Sequence, residues 1–308
     1  MNVQNIPVSA KNSIPLVNAA ASGKPEIVCD LVSSGADVEK SYKKALVVAS
    51  QKGSVEVVQT LLAMGSGNIG MYSDALKRAA HKGNVEVVRV LLAAKANIEP
   101  SGRRNTAALM VASHKGHAEV IQELISARAN VHLRDSDGNT TLMETASSSL
   151  FGRRPTKQHL EAARILINAR TNVNARNNSG KTALILAAER ENLGLLRVLV
   201  DANANVDIIS KNTSYYNCET ALACGIKDSH VEIVQTLLDA NANVNASDED
   251  GRTPLSFALS RGTRSNHLEN QICVVESLIH ARASVNSADD SDKFAYLILL
   301  FPFKNKTS

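Results

Sequence analysis

The sequence predicts an all-α protein built from stacked pairs of short helices, and three observations support this prediction. One phrase recurs along the chain: an Ala-rich segment, a Gly, a Val-Glu-Val-Val run and two Leu residues, as in DALKRAAHKGNVEVVRVLL. Equivalent leucines of this pattern, Leu76, Leu109 and Leu142, are each 33 residues apart. A constant spacing of this length indicates a repeat architecture. Finally, 44% of the residues are hydrophobic but only 3% are aromatic, which suits thin helices packed closely together.

Each repeat carries two apolar stripes with helical spacing. In the third repeat, Ala and Leu residues between positions 75 and 80 form one stripe, and Val and Leu residues between positions 87 and 92 form the other. Gly83 lies between them, where the chain must reverse. Because neither short helix can bury its stripe alone, we expect each helical hairpin to pack on the next and form an elongated stack.

The motifs of these repeats resemble those of the ankyrin-repeat family. The best matches are Gly-Arg-Thr-Pro-Leu at 251–255, Gly-Lys-Thr-Ala-Leu at 180–184 and Ser-Gly-Ala-Asp-Val at 34–38. The resemblance implies an all-α solenoid of helix-turn-helix units with β-turn or hairpin fingers. It also implies a non-catalytic scaffold or adaptor that binds proteins through a concave surface formed by the fingers and the first helices.

The repeat register predicts the domain organisation. We expect an N-terminal tail at 1–11, an ankyrin-repeat domain at 12–288 and a truncated ninth repeat or C-terminal tail at 289–308. That last segment is interpreted as a cap, or the chain is a fragment or splice form of a longer protein. Insertions near 147–158 and 262–271 are expected as loops that contact partners or are simply tolerated. The eight repeats begin near residues 12, 41, 71, 101, 135, 176, 215 and 248.

Six positions that follow a second helix depart from the family pattern, which has Gly there. We expect all six to be left-handed, at a cost of roughly 1 kcal/mol for a Lys or Arg. A cation at a helix C-terminus recovers about 0.3 to 1 kcal/mol of this cost. These repeats should therefore be less stable than repeats with the consensus sequence of the family. The six residues are Lys95, Arg128, Arg170, Asn203, Asn241 and Arg282.

The chain composition predicts an intracellular protein. Its cysteines are scattered without a paired framework, as expected of reduced thiols. The longest apolar stretch, Phe294–Phe303, is too short to span a bilayer, and no leader-like segment is seen. We therefore expect a cytoplasmic or nuclear location without membrane insertion.

Several motifs resemble chemical sites, but their contexts argue against them. Gly65–Gly70 spells a dinucleotide loop, yet the preceding segment is predicted to be a helix instead of the required strand. The turns at 135–138 and 248–251 lack the Asp that a calcium loop needs five residues before its Gly, so they are interpreted as finger turns. We expect no cofactor and no small-molecule substrate.

Metal and nucleophilic sites are also not expected. Cys218, Cys224 and His230 lack the close Cys pairs and the fourth ligand of a zinc site. The histidines at helix ends, such as His117, have no recurring Ser, Asp or Cys partner, so nucleophilic catalysis is unsupported. The sequence predicts that the protein is not an enzyme.

A column of basic residues is the main candidate for partner binding. Lys52, Lys82 and Lys115 occupy equivalent positions in repeats 2 to 4, and residues 1–134 hold 16 Lys and Arg against 10 Asp and Glu. We hypothesise that they attract an acidic segment of a partner protein; the alternative is a set of solvated helix ends. His81 and His114 lie beside the column, and Lys40, Lys43, Arg103, Arg104 and Arg134 are expected to add charge from the fingers.

Two further functions remain alternatives. Nucleic-acid binding is disfavoured because aromatic residues are few and the formal net charge is only +4. The chain could instead be a regulatory or targeting arm of a longer multidomain protein.

One candidate modification site stands in the first insertion. Arg153-Arg154-Pro155-Thr156 matches the preference of basic-directed kinases, and phosphate on Thr156 would alter docking. Arg103-Arg104-Asn105-Thr106 matches the same motif, but it lies within a repeat and not in an insertion.

Overall fold

The computed structural model describes most of the chain. The described residues are 14–34, 38–64, 72–99, 107–147, 156–211, 220–248, 251–260 and 268–284. They form sixteen α-helices that pair into eight hairpins, and their only β pairing is an isolated antiparallel bridge between Arg134 and Thr140. The prediction of an all-α repeat protein is confirmed.

The helices alternate between a first and a second helix of each hairpin. Most second helices have nine residues, whereas α3, α10 and α16 are longer than their counterparts. The bounds are α1 Ile14–Ser22, α2 Pro25–Ser33, α3 Val38–Lys52, α4 Val55–Met64, α5 Tyr72–Lys82, α6 Val85–Ala93, α7 Ala108–Lys115, α8 Ala118–Ser126, α9 Thr141–Ser147, α10 Lys157–Asn168, α11 Ala183–Glu189, α12 Leu193–Asp201, α13 Ala221–Lys227, α14 Val231–Asp239, α15 Pro254–Ser260 and α16 Leu268–His280.

The chain divides into two compact units, residues 1–172 and 173–308. In unit 1, the first helices α1, α3, α5, α7 and α9 pack in succession, as do the second helices α2, α4, α6, α8 and α10. In unit 2, α11, α13 and α15 pack in succession, as do α12, α14 and α16. The buried Leu of each stripe, such as Leu76, Leu91 and Leu109, fills the space between neighbouring helices.

Hairpin α5–α6 shows how the sequence determines the local fold. The predicted stripe residues of α5 have no exposed surface, and Val87, Val88 and Leu91 of α6 are likewise buried. Gly83 takes φ +77°, and the next amide, that of Asn84, donates to the carbonyl oxygen of Ala79 at 3.0 Å. The left-handed glycine thus ends the first helix and lets the chain reverse.

The finger turns are confirmed where the structure describes them. The Gly138 amide donates to the carbonyl oxygen of Asp135 at 3.1 Å, and the Gly251 amide donates to that of Asp248 at 3.0 Å. One carboxylate oxygen of Asp135 also accepts from the amides of Asp137 and Asn139, at 2.9 and 2.8 Å. These acidic side chains therefore stabilise turns.

The left-handed prediction is confirmed at all six positions, from Asn203 with φ 58° to Arg128 with φ 66°. Two more non-glycine residues, Glu191 and Ser229, also take φ 56°. They occupy the turn between two helices, where the earlier repeats have Gly83 or Gly116. Unit 2 therefore carries backbone strain that the sequence analysis missed.

Two details of the sequence analysis are corrected. Lys43 does not lie in a finger, because α3 already begins at Val38 and includes it. Residues 157–158 and 268–271 were assigned to insertion loops but belong to helices α10 and α16. Ser147 likewise belongs to α9, and Thr156 precedes α10. Residues 148–155 and 262–267, the Gly65–Gly70 motif, Arg103, Arg104, Cys218 and the ninth repeat lie outside the described residues, as does the side chain of Lys40.

Candidate protein-binding surface

Three lysines end three successive first helices of unit 1. Lys52 is the last residue of α3, Lys82 of α5 and Lys115 of α7, and all three are exposed. Because α3, α5 and α7 pack side by side, the three residues lie on one edge of unit 1. We call them the basic column.

The basic column lacks neutralising partners among the residues that the structure describes, since no described carboxylate lies within ion-pair distance of it. Nearby carboxylates are engaged elsewhere. Asp74 pairs with Lys43 at 2.6 Å, and Glu144 contacts Nδ1 of His114 at 2.9 Å. The positive charge of the column is therefore open to an external anion.

The lowered pKa of His81 reflects the positive charge of the neighbouring side chains. Burial lowers the pKa of His81, and the neighbouring cations Lys115, Lys82 and Arg78 lower it further. Like charges disfavour protonation of the imidazole. His81 therefore contributes a neutral ring at neutral pH, and the lysines and Arg78 supply the charge.

A groove of about 370 Å³ lies across α3, α5 and α7. Val47 and Val111, both partly exposed, give it apolar surface, while Lys77, Arg78 and His81 add polar and basic groups. Asp74 also lines it and is paired with Lys43. The groove can therefore accept an apolar side chain whose neighbours are acidic.

The structure distributes the remaining sequence-predicted residues differently. Arg134 does lie in a finger, where its Nη1 donates to the carbonyl oxygen of Gly138 at 3.1 Å, so its guanidinium is engaged within the turn. Lys43 lies on α3 and pairs with Asp74. Sequence reasoning missed Lys77 and Arg78, although their place between buried Leu76 and Ala79 marks the polar side of α5.

A ladder of side chains joins successive repeats at the starts of the second helices. Asn84 Nδ2 donates to the carbonyl oxygen of Ser50 at 2.7 Å, and His117 Nε2 donates to that of His81 at 3.1 Å. His159 Nε2 donates to the carbonyl oxygen of His114 at 3.3 Å. We call Asn84, His117 and His159 the cap ladder.

The cap ladder requires glycine in the preceding repeat. A Cβ on Gly83 would lie 2.7 Å from Nδ1 of His117, and a Cβ on Gly116 would lie 2.7 Å from Nδ1 of His159. Each ring therefore packs directly against the turn of the repeat before it. The ladder fixes the carbonyl ends of α3, α5 and α7, which also carry the basic column.

Comparison with known proteins identifies the repeats. Sequence models of ankyrin repeats in three copies match residues 16–102, 76–155 and 109–212, and a model of many-copy ankyrin repeats matches residues 221–269. The chain belongs to the ankyrin-repeat family. Ankyrin repeats are generally protein–protein interaction modules and are typically non-enzymatic.

A solved structure supports the same identification. The chain is similar to the crystal structure of an ankyrin repeat domain from Acinetobacter baumannii, with 28% sequence identity and a TM-score of 0.56. The match covers 68% of this chain and 98% of the other. No curated protein sequence matches the chain.

Within the described ranges, no group of three His, Cys, Asp or Glu residues is placed to hold a metal ion. Cys224 is buried in α13. No described helix is both long enough and apolar enough to cross a membrane.

The cap ladder predicts a pH dependence of stability. Burial lowers the pKa of His117 and His159, so the unfolded chain takes up protons at a higher pH than the folded ankyrin repeats. Stability should therefore be full above the ordinary histidine pKa of about 6.5 and fall as the pH is lowered below it. The His117→Asn/His159→Asn double variant should flatten this fall, because Asn84 shows that asparagine fits the position.

Thermal unfolding followed by circular dichroism between about pH 7.5 and pH 5 would measure this slope. His132→Asn, at an exposed histidine outside the ladder, is the matched control. An unchanged slope in the double variant would contradict the assignment.

Proposed function

We propose that this chain is a non-catalytic adaptor that binds an acidic segment of a partner protein along the basic column of unit 1. The observation that carries the proposal is the alignment of Lys52, Lys82 and Lys115 on three successive helix ends, without ion-pair partners among the described residues. Solvated helix ends remain the competing interpretation. A regulatory or targeting arm of a longer protein would use the same surface.

The repeat spacing suggests the form of the partner segment. Packed helices lie about 8 to 10 Å apart, and a peptide in the polyproline II conformation has three residues per turn and rises about 3.1 Å per residue. Carboxylates placed at every third residue of such a segment would therefore lie on one face, about 9 Å apart, and match the lysines of the column. Arg78 and Lys77 add charge beside the groove, and Val47 and Val111 offer contact to an apolar side chain of the same segment.

Charge complementarity of this kind favours fast and selective association. Exposed ion pairs contribute about 0.2 to 1 kcal/mol each, so the column would mainly select the partner and guide its approach. Contact in the groove would add most of the affinity. Binding should therefore weaken as salt is raised.

Nucleic acid is a less suitable ligand for this surface. Sequence-tolerant binding of single strands depends on aromatic side chains on which bases stack. Tyr42 and Tyr72 are buried, and the Tyr42 hydroxyl donates to the carbonyl oxygen of Leu61 at 2.7 Å. The described part of unit 1 thus offers no tyrosine for stacking near the column.

Protein capture from the source cell's lysate tests the proposal. We expect the Lys52→Glu/Lys82→Glu/Lys115→Glu variant to lose at least tenfold of a specific set of captured proteins, measured by quantitative mass spectrometry. The matched control, Lys95→Glu/Arg128→Glu/Arg170→Glu, makes the same charge change at three exposed residues that follow second helices of unit 1 and should retain them. Circular dichroism checks that both variants are folded.

The outcome also separates the alternatives. Capture that is unchanged in the column variant would contradict the proposal and support solvated helix ends. Salt-dependent binding of a labelled random-sequence DNA duplex that is lost in the column variant would favour nucleic acid instead.

A further inference from the structure

Thr156 stands at the start of helix α10, where three independent features meet. It is exposed, it is the N-cap of a twelve-residue helix, and it follows Arg153-Arg154-Pro155 in the sequence. Two arginines two and three residues before a threonine match the charge preference of basic-directed protein kinases. A phosphate at this position would face the amides of the first turn and the positive end of the helix dipole.

The Thr156 hydroxyl also touches the cap ladder. Its Oγ1 lies 2.9 Å from Nδ1 of His159, and the Thr156 amide lies 3.3 Å from the same nitrogen. Since His159 Nε2 donates to the carbonyl oxygen of His114, Nδ1 carries the lone pair and the hydroxyl donates to it. Thr156 is thus one side chain away from the end of α7, which bears Lys115 of the basic column.

We propose that Thr156 is a phosphorylation site whose phosphate converts His159 into a cation and tightens helix α10 onto helix α7. A basic-directed kinase transfers the γ-phosphoryl group of ATP: the Oγ1–H bond breaks, an O–P bond forms, ADP leaves and the proton passes to the kinase base. Phosphothreonine has no hydroxyl proton to donate, so Nδ1 of His159 keeps only the longer contact with the Thr156 amide and faces a dianion. Protonated His159 then donates from Nδ1 to the phosphate and from Nε2 to the His114 carbonyl.

The groups around His159 determine how readily the ring is protonated when phosphate is added to Thr156. Burial, with His114, His117 and Lys115 nearby, lowers its pKa in the unmodified chain. A phosphate bonded to Oγ1 would lie beside Nδ1 and would favour the protonated ring, against the effect of burial and of these neighbours. The other charged groups on the elements packed here are Glu119 and Glu123 of α8, Glu144 of α9, and Lys157, Glu161 and Arg164 of α10 itself. Glu144 is engaged with His114.

The inference is independent of the proposed partner. It requires only that the Thr156 hydroxyl is phosphorylated and that His159 becomes protonated in response. A phosphate at the N-terminus of α10 should raise the thermal midpoint of the chain by about 1 to 3 °C, from the dipole interaction.

The first test treats the purified full chain with MgATP and the catalytic subunit of a basic-directed kinase, and maps phosphate by tandem mass spectrometry. Thr156→Ala should lower incorporation at least tenfold, whereas Thr156→Ser keeps a hydroxyl and a helix cap and should retain it. Thr106→Ala, in the second Arg-Arg-x-Thr sequence, is the matched control and should also retain it. Incorporation that is unchanged in Thr156→Ala would overturn the assignment.

The second test follows the His159 ring by NMR titration of the phosphorylated and unmodified chains. The proposal expects the His159 resonance to titrate at a higher pH after phosphorylation, with a raised thermal midpoint. Phosphorylation at Thr156 that leaves the His159 titration where it was would overturn the coupling to the cap ladder.

Discussion

Leu109→Ala is expected to lower the free energy of unfolding of unit 1 by about 3 kcal/mol, within the range for buried Leu→Ala substitutions. Leu109 of α7 has no exposed surface, and α7 packs against α5, α8 and α9. The cavity therefore weakens contacts with both neighbouring repeats. In a repeat array each interface carries a share of the total stability, so the loss cannot be absorbed elsewhere.

Urea denaturation followed by circular dichroism would measure the effect. Met64→Ala is the matched control, because Met64 of α4 is 39% exposed and its truncation should change stability by less than about 0.5 kcal/mol. Similar losses for the two variants would contradict the packing described for α7.

Lys95→Gly/Arg128→Gly/Arg170→Gly is expected to stabilise unit 1 by about 1.5 kcal/mol. These residues take φ of 59°, 66° and 62°, which a side chain with a Cβ adopts at a cost of roughly 1 to 2 kcal/mol each. Glycine removes that cost but also gains freedom in the unfolded chain, at about 0.4 to 1 kcal/mol. Loss of each exposed cation at a helix C-terminus takes back about 0.3 kcal/mol. With about 1.5 kcal/mol of strain and about 0.7 kcal/mol of chain entropy, about 0.5 kcal/mol per site remains.

A substitution at the neighbouring residue, Ala94, provides a control in which the change in stability should have the opposite sign. Ala94 precedes Lys95 and has φ −75°, so Ala94→Gly relieves no strain and should destabilise the unit by about 0.5 to 1 kcal/mol. Chemical denaturation measures both changes. A triple variant less stable than the parent chain would show that the dipole interaction outweighs the backbone strain.

The repeat period made most of the fold predictable. The hairpins, the finger turns and all six left-handed positions after the second helices follow from the register, because each repeat imposes the same backbone at equivalent positions. Glu191 and Ser229 were missed because those two repeats lack the glycine that marked the turn elsewhere. At these two turns, the position in the repeat predicts the left-handed backbone, whereas the residue type does not.

The candidate surface was only partly predictable. Lys52, Lys82 and Lys115 could be aligned because the same residue recurs, whereas Arg78 appears once and was overlooked. Lys43 was misplaced because α3 begins before the expected repeat start. The contact of His159 with His114 and Thr156 joins residues on both sides of an insertion, and no periodic pattern reports it.

Binding of a regularly spaced acidic segment by the basic column can be measured directly. Its most direct test is the fluorescence anisotropy of a labelled twelve-residue peptide with Glu at every third position, titrated with the chain at two salt concentrations. We predict binding that weakens with salt, falls at least tenfold for Lys52→Glu/Lys82→Glu/Lys115→Glu, and is unaffected by Lys95→Glu/Arg128→Glu/Arg170→Glu. Equal affinity of the parent chain and the column variant, or no binding at either salt concentration, would contradict it.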